Sequence, residues 1–342
     1  MTDAGLIVEL LAKSSVIAGA GLVLAAALSA RPAVERVDVL RAAVCILLGL
    51  PVIMALAPGL ELALLPAAAA EVAPSTPVWQ GAVGPVAGLS VSGTIRPLSL
   101  IDIMIGAWVI GAVAVFGRFV LGVLTLRRWT RSGRPVTEAA WTAPLEYLPR
   151  RGRPRVIGSQ AVESPLSWGL APGVVLIGET CLAKPQTAAA VMAHELAHIR
   201  RGDWLFLALS RLALAVFWFN PLVWLLHATL VGRTEDAADA AAIVAMDRRT
   251  YARALVGLAA DFRQPAAVGM AGDAQSLTRR IDRIMNARPA TARRPVVMAL
   301  TIGALIAIAT PIAAVEITQV PPPPPPSAPP PPPAPPAPPA PP

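Results

Sequence analysis

Apolar residues in this chain gather into a few long blocks separated by polar stretches. Four blocks, residues 6–30, 42–60, 101–126 and 295–315, run almost unbroken. A helix needs roughly 20 apolar residues to cross a ~30 Å hydrocarbon layer, and each block reaches about that length. A fifth block, 204–231, reads WLFLALSRLALAVFWFNPLVWLLHATLV. Asn220-Pro221 interrupts it, and a residue before proline is pushed away from helical geometry. As helices its halves would be ~24 Å and ~15 Å long, each short of a full crossing. The expected form is a helical hairpin that dips into the membrane face or packs against the spans.

Other periodicities are weaker. Short β-like pieces at 155–157 and 174–177, punctuated by Pro and Gly, predict a hairpin or small sheet. The 174–177 piece could also pair with an extended peptide. In 273–288, Leu277, Ile281, Ile284 and Met285 share one helical face, while Arg279, Arg280 and Arg283 project elsewhere. That pattern predicts an amphipathic basic helix on a membrane surface or packed on the domain. Residues 321–342 hold 17 of the 37 prolines. Proline lacks an N–H and fixes φ, so this tail predicts a disordered polyproline rod, ~70 Å if straight, most simply a spacer.

Composition narrows the class. The chain of 342 residues is 55% hydrophobic and 15% charged, with a mean hydropathy of +0.60. Ordinary soluble domains carry about 25% charged residues, so a disordered chain and a routine cytosolic enzyme are both excluded. The formal charge of +8 is local: residues 125–294 hold 23 of the 29 basic residues against 13 of the 21 acidic ones. Basic loops stay in the cytoplasm, and that reading is preferred to a nucleic-acid partner. Segment 31–41 carries Arg31, Arg36 and Arg41, whereas 61–100 carries only Arg96 beside Glu61 and Glu71. The expected topology therefore puts 31–41 and 127–294 inside. The N-terminus, the 61–100 loop and the tail lie outside, with the lipid bilayer as a partner. The first block has Asp3 and Glu9 rather than a basic start, unlike a cleavable signal peptide. Cys45 and Cys181 build neither a disulfide framework nor a paired-cysteine metal site.

The chemistry lies in KPQTAAAVMAHELAHIRRGD, which predicts a helix from about Gln186 to Gly202. His194 and His198 are four residues apart, so both imidazoles leave one helical face and can bind one zinc ion. Glu195 is placed to take a proton from the attacking water. A catalytic zinc needs a third protein ligand. Glu235 is preferred over His227, because Asp239 follows it at i+4 and suits a carboxylate that orients a ligating histidine. His227 lies in an apolar stretch and reads as a packed or interfacial residue. Asp236 reads as solvated or as a helix N-terminal charge. If Glu235 is the ligand, the 204–231 block must return to the same side, because ligand bonds are only ~2 Å long. Tyr251, Arg233 and His227 are candidate donors to a developing oxyanion.

The blocks HELAHIRRGDW, WFNPLVW and TEDAAD, with SPLSWGLAPGVVLI (164–177) upstream and SLTRRIDRIMN (276–286) downstream, resemble the BlaR/MecR-type membrane metallopeptidases. The resemblance covers roughly 100–315 and is specific through the order of its blocks. It implies zinc bound by His194, His198 and Glu235, with Glu195 catalytic and Asp239 at the family's acidic position after the third ligand. It also implies relay of an outside signal, self-cleavage, and loss of a BlaI/MecI-type repressor as the protein substrate. A homodimer is left open. The implied fold is mainly α and integral to the bacterial inner membrane. Three helices with a periplasmic loop fill 1–126, an α+β gluzincin-like peptidase domain 127–294, a fourth span 295–315 and a periplasmic Pro-rich tail 316–342. The antibiotic-sensing members carry a penicillin-binding domain after the last span, whereas 27 residues follow Val315 here. β-Lactam sensing is therefore not expected. The alternatives are a housekeeping zinc protease of quality-control or CAAX-processing type, and a non-catalytic scaffold working through its tail.

Overall fold

A computed structural model describes residues 3–56, 60–65, 99–259, 270–286 and 295–319. The polyproline tail and most of the 61–100 loop lie outside the described residues. Among the described residues, four helices are long and apolar enough to cross a membrane: α1 (Asp3–Ala27), α2 (Ala33–Leu56), α3 (Leu100–Ser132) and, last in the chain, α11 (Pro295–Ala314). Strand β1 (Leu60–Leu65), after α2, pairs in parallel with β6 (Val315–Gln319), after α11.

Two spans differ from the apolar blocks. The second helix starts at Ala33, not near residue 42, so residues 33–41 of the basic segment are helix rather than loop. Two of the segment's three arginines are paired: Arg31 Nε lies 2.9 Å from Glu35, and Arg41 lies 3.7 Å from Asp38 and also bonds Asp203. The third helix runs on to Ser132, 33 residues or ~50 Å. It begins with a capping box in which Ser99 and Asp102 satisfy each other's backbone N–H groups. Its apolar side chains, among them Ile103, Ile110, Val113 and Leu121, stay exposed, as a lipid-facing surface would be.

The chain after α3 builds a small mixed sheet and a layer of helices. Strands β2 (Arg134–Pro135), β3 (Arg155–Ser159), β4 (Leu166–Trp168) and β5 (Val174–Gly178) are ordered β2-β3-β5-β4. The β3–β5 pair is parallel, whereas β4 pairs with β5 antiparallel. The 155–157 and 174–177 pieces are therefore parallel neighbours, not a hairpin. All five residues of β5 are buried and both its edges are paired, so it cannot take an added peptide. The outer strands are β2 and β4, each with one edge unpaired within the sheet. Helices α4 (Ala139–Glu146), α5 (Glu179–Leu182) and α6 (Ala188–Arg201) cover the sheet. Trp141, Val175, Ile177, Val191, Met192 and Leu196 form their shared core. Burying each large side chain contributes about 1.5–3 kcal/mol, so α6 is fixed from below.

Gly202 ends α6 with φ of 64°, a left-handed turn that glycine adopts without strain. The chain then enters α7 (Asp203–Val216) and returns through α8 (Pro221–Ala245). The expected hairpin is present. Its break is Asn220, whose side chain caps the Leu222 N–H at 3.0 Å, with Pro221 at the first helical position. It packs inside the apolar bundle: Leu214, Phe217, Val223 and Leu226 share one core with Ile17, Leu40, Leu47 and Leu305. Lipid offers little hydrophobic drive between helices, so close contact and polar bonds matter more there. Asn220 donates to Ser14 Oγ at 2.8 Å and Ser15 Oγ at 3.1 Å. Trp108 Nε1 donates to Val216 O at 3.1 Å, and a Cβ on Gly111 would fall 2.1 Å from the Trp218 ring. Only glycine admits Trp218 there. Helices α9 (Arg248–Ala259) and α10 (Met270–Met285) close over α6 and α8. Ile284 of α10 is buried in that contact, so the amphipathic helix packs on the domain.

Candidate metal centre

Helix α6 presents His194 and His198 from one face, and α8 brings Glu235 against both. The two Nε2 atoms are 3.2 Å apart, and Glu235 Oε2 and Oε1 lie 3.4 Å from His194 Nε2 and His198 Nε2 respectively. Three ligands at ~2.0–2.1 Å from a tetrahedral ion would be about 3.3 Å apart, so the spacing fits zinc coordination. The donor chemistry fits as well. Each Nδ1 faces a carboxylate, so in the neutral, metal-binding form the remaining proton belongs there and both Nε2 lone pairs converge on the gap. His194, His198 and Glu235 are thus a metal-binding cluster consistent with zinc.

The two imidazoles are supported differently. His194 Nδ1 lies 2.9 Å from the Tyr251 hydroxyl and 3.2 Å from Asp239 Oδ1. Tyr251 donates to Asp239 at 2.7 Å, and Arg280 grips the same carboxylate through Nε at 2.7 Å and a terminal nitrogen at 2.6 Å. His198 Nδ1 lies 2.6 Å from Asp203 Oδ2. Asp203 also bonds Arg201 and Arg41, and Arg201 reaches the Thr234 carbonyl at 3.1 Å.

These contacts set the charges. Burial would lower the His194 pKa, but Asp239 and Glu235 outweigh it and raise it to about 9. Burial would raise Asp239, yet His194 and Arg280 hold it down at about 2. Glu235 is likewise below the usual carboxylate range, since the two histidines and Arg280 outweigh its burial. Burial and the neighbouring Asp239 push the Tyr251 phenol up, so it stays a neutral donor.

Other anticipated roles come out differently. His227 is remote from the cluster, with Nδ1 2.8 Å from Ser210 Oγ. Arg233 pairs with Asp236 at 2.9 Å, and Asp236 also bonds Arg283. Asp236 is neither solvated nor at a helix start: its side chain is 10% exposed, mid-helix in α8. The Tyr251 hydroxyl is behind His194 and spends its proton on Asp239, so it is not free for an oxyanion. Arg280 turns into the site instead of outward. Asp203, Arg201 and Arg41 were not anticipated; the one hint was an acidic residue directly after Gly202, where an apolar block begins.

A cavity of about 470 Å³ opens over the cluster. His194, Glu195, His198, Glu235 and Arg280 line it on one side and Ser164–Ser167, including the start of β4, on another. Glu195 is 5% exposed within this lining. An HExxH helix, a glutamate from a following helix and a cleft beside an open strand edge define a metallopeptidase, here carried on membrane-spanning helices.

The comparisons agree. The chain belongs to the M56 peptidase family, described as BlaR1 peptidase M56, whose profile matches residues 43–284. It is 26% identical over 161 residues to the "Regulatory protein BlaR1" of Bacillus licheniformis. That match takes in 44% of this chain and 27% of the relative, so the chain spans well under half of that protein's length.

Proposed function

We propose that the protein is a membrane-embedded zinc endopeptidase serving as a regulatory signal transducer, which cleaves itself, a cytoplasmic repressor of BlaI/MecI type, or both. The observation that carries the peptidase reading is the convergence of His194, His198 and Glu235 beside Glu195, under a peptide-sized cleft. The name of the Bacillus relative supports the regulatory role. The Arg-rich 31–41 and 127–294 segments support a cytoplasmic peptidase face.

Zinc, when bound, would lower the pKa of a water molecule and polarise the scissile carbonyl. His194, His198 and Glu235 would hold it. Glu195 accepts the proton from the attacking water and returns it to the leaving amine. Asp239 and Asp203 keep the two imidazoles in the tautomer that turns Nε2 towards the metal. The open edge of β4 accepts the substrate as an extended strand, so main-chain hydrogen bonds register the scissile peptide over Glu195.

The test is cleavage by the detergent-purified full chain, of itself and of a purified winged-helix repressor. In Glu195→Ala zinc content should remain while cleavage falls about 10²–10⁴-fold, the usual worth of a general base. Proteolysis at the unaltered rate in that variant would contradict the mechanism.

A further inference from the structure

We infer that Arg41 of α2 is a positioning residue for the metal centre, coupling the second membrane-spanning helix to the ligand His198. The inference rests on the zinc reading above and goes beyond it, because it assigns the site a mechanical connection to the membrane bundle.

Arg41 stands in the third turn of α2, only 9% exposed. One terminal guanidinium nitrogen bonds Asp203 Oδ1, while the other lies 3.7 Å from Asp38 on its own helix. The guanidinium carbon sits 4.4 Å above the Phe206 ring, in the first turn of α7. Arg41 is therefore clasped by a carboxylate and an aromatic face of one helical turn. Asp203 is 1% exposed, and its other oxygen, Oδ2, is the one 2.6 Å from His198 Nδ1. The path from α2 to the ligand thus runs through one carboxylate: Arg41 on Oδ1, His198 on Oδ2.

The geometry makes this more than a docking pair. A carboxylate is a rigid plane, so the guanidinium that fixes one oxygen also fixes the direction in which the other meets Nδ1. Nδ1 in turn sets the ring angle at which Nε2 meets the metal. Arg201 also bonds Asp203, but it belongs to α6 itself and moves with His198. Arg41 is the partner of Asp203 from outside the α6–α7 corner among the described contacts. A shift of α2 along or about its axis would be read by Asp203 and passed to the ligand. Such a shift is how a signal crossing the bilayer would arrive.

The experiment compares zinc affinity and the visible spectrum of the cobalt-substituted protein, in the full chain in detergent, for the parent, Arg41→Gln, Arg41→Lys, Asp203→Asn and the Arg41→Gln/Asp203→Asn double variant. Arg31→Gln, which breaks the Arg31–Glu35 pair beside the same helix end, is the control. Asp203→Asn is expected to weaken zinc binding by about 10–100-fold, the usual cost of losing a partner of a ligating histidine. Arg41→Gln is expected to weaken it by about tenfold or somewhat less and to change the cobalt bands. Arg41→Lys should recover part of the loss. The double variant should match Asp203→Asn alone, since Arg41 acts through that carboxylate. Arg31→Gln should leave both readouts unchanged. Zinc affinity and cobalt bands that stay at the parent values in Arg41→Gln overturn the coupling, as do additive losses in the double variant. If Arg41→Gln does not fold, Arg41→Met, which keeps the length and removes the charge, decides, with unchanged affinity and bands again overturning the coupling. A parent chain that binds no zinc, or binds it equally well as His198→Ala, refutes the zinc reading itself.

Discussion

The two histidines of the cluster sit one helical turn apart, yet they are held by different parts of the molecule. His194 leans on Asp239 near the end of the hairpin helix α8, and on Tyr251 and Arg280 of α9 and α10, which close over the domain. His198 leans on Asp203, whose second oxygen is held by Arg41 in a membrane-spanning helix. One ligand is braced through the hairpin helix and the two helices that close the domain, the other directly by a membrane-spanning helix. A site built in this way gives the second donor a direct link to α2 that the first donor lacks. Its geometry can respond to the bundle without the domain unfolding.

The largest effect expected from breaking this asymmetry is on metal affinity. Asp239→Asn and Asp203→Asn should each weaken zinc binding about 10–100-fold. They should differ in their dependence on the bundle. Moving the protein from lipid nanodiscs to a harsh detergent should alter zinc affinity in the parent and in Asp239→Asn, but much less in Asp203→Asn, where the link is already cut. Equal sensitivity in both variants would dissolve the distinction.

A second effect is on protons. The metal-free His194 holds its proton up to pH about 9, chiefly because Asp239 and Glu235 outweigh its burial. Zinc needs the neutral imidazole, so binding below that pH must expel a proton. Apparent zinc affinity should therefore tighten by about tenfold per pH unit as pH rises towards 9 and level off above it. Calorimetry in buffers of different ionisation enthalpy measures the release at neutral pH, and Asp239→Asn should reduce it. Undiminished release in that variant would mean that Asp239 does not set the His194 proton.

The smallest effect lies at the hairpin tip. Asn220→Ala removes the α8 cap and the bonds to Ser14 and Ser15. It should cost about 1–2 kcal/mol of stability, read by denaturant unfolding in detergent. Zinc affinity should barely change, because the tip is a full helix length from the ligands. A large loss of affinity would show that the whole hairpin, not its base, tunes the site.

Local periodicity made much of this legible. The four spans follow from unbroken apolar length, the metal pair from i,i+4 spacing, and the hairpin from Asn220-Pro221 combined with the need to return Glu235 to the HExxH helix. Asp239 was legible because it follows Glu235 by one turn. Asp203, Arg41, Tyr251 and Arg280 act across the chain: Arg41 and Asp203 are 162 positions apart, His194 and Tyr251 57, Asp239 and Arg280 41. No local pattern announces such pairs. The charges of 31–41 looked like a loop although Glu35 and Asp38 stand at helical spacing from Arg31 and Arg41, because the partner that anchors Arg41, Asp203, lies 162 positions away. The inner position of β5 was hidden for the same reason, since strand order depends on which strand β4 pairs with.

The most direct measurement is metal analysis of the full chain purified without added chelator, beside the Glu235→Ala variant. About one zinc ion per chain is expected in the parent, with its loss in Glu235→Ala while the variant stays folded by circular dichroism. An absence of zinc in the parent, or zinc retained equally by Glu235→Ala, would contradict a metal centre shared between α6 and α8.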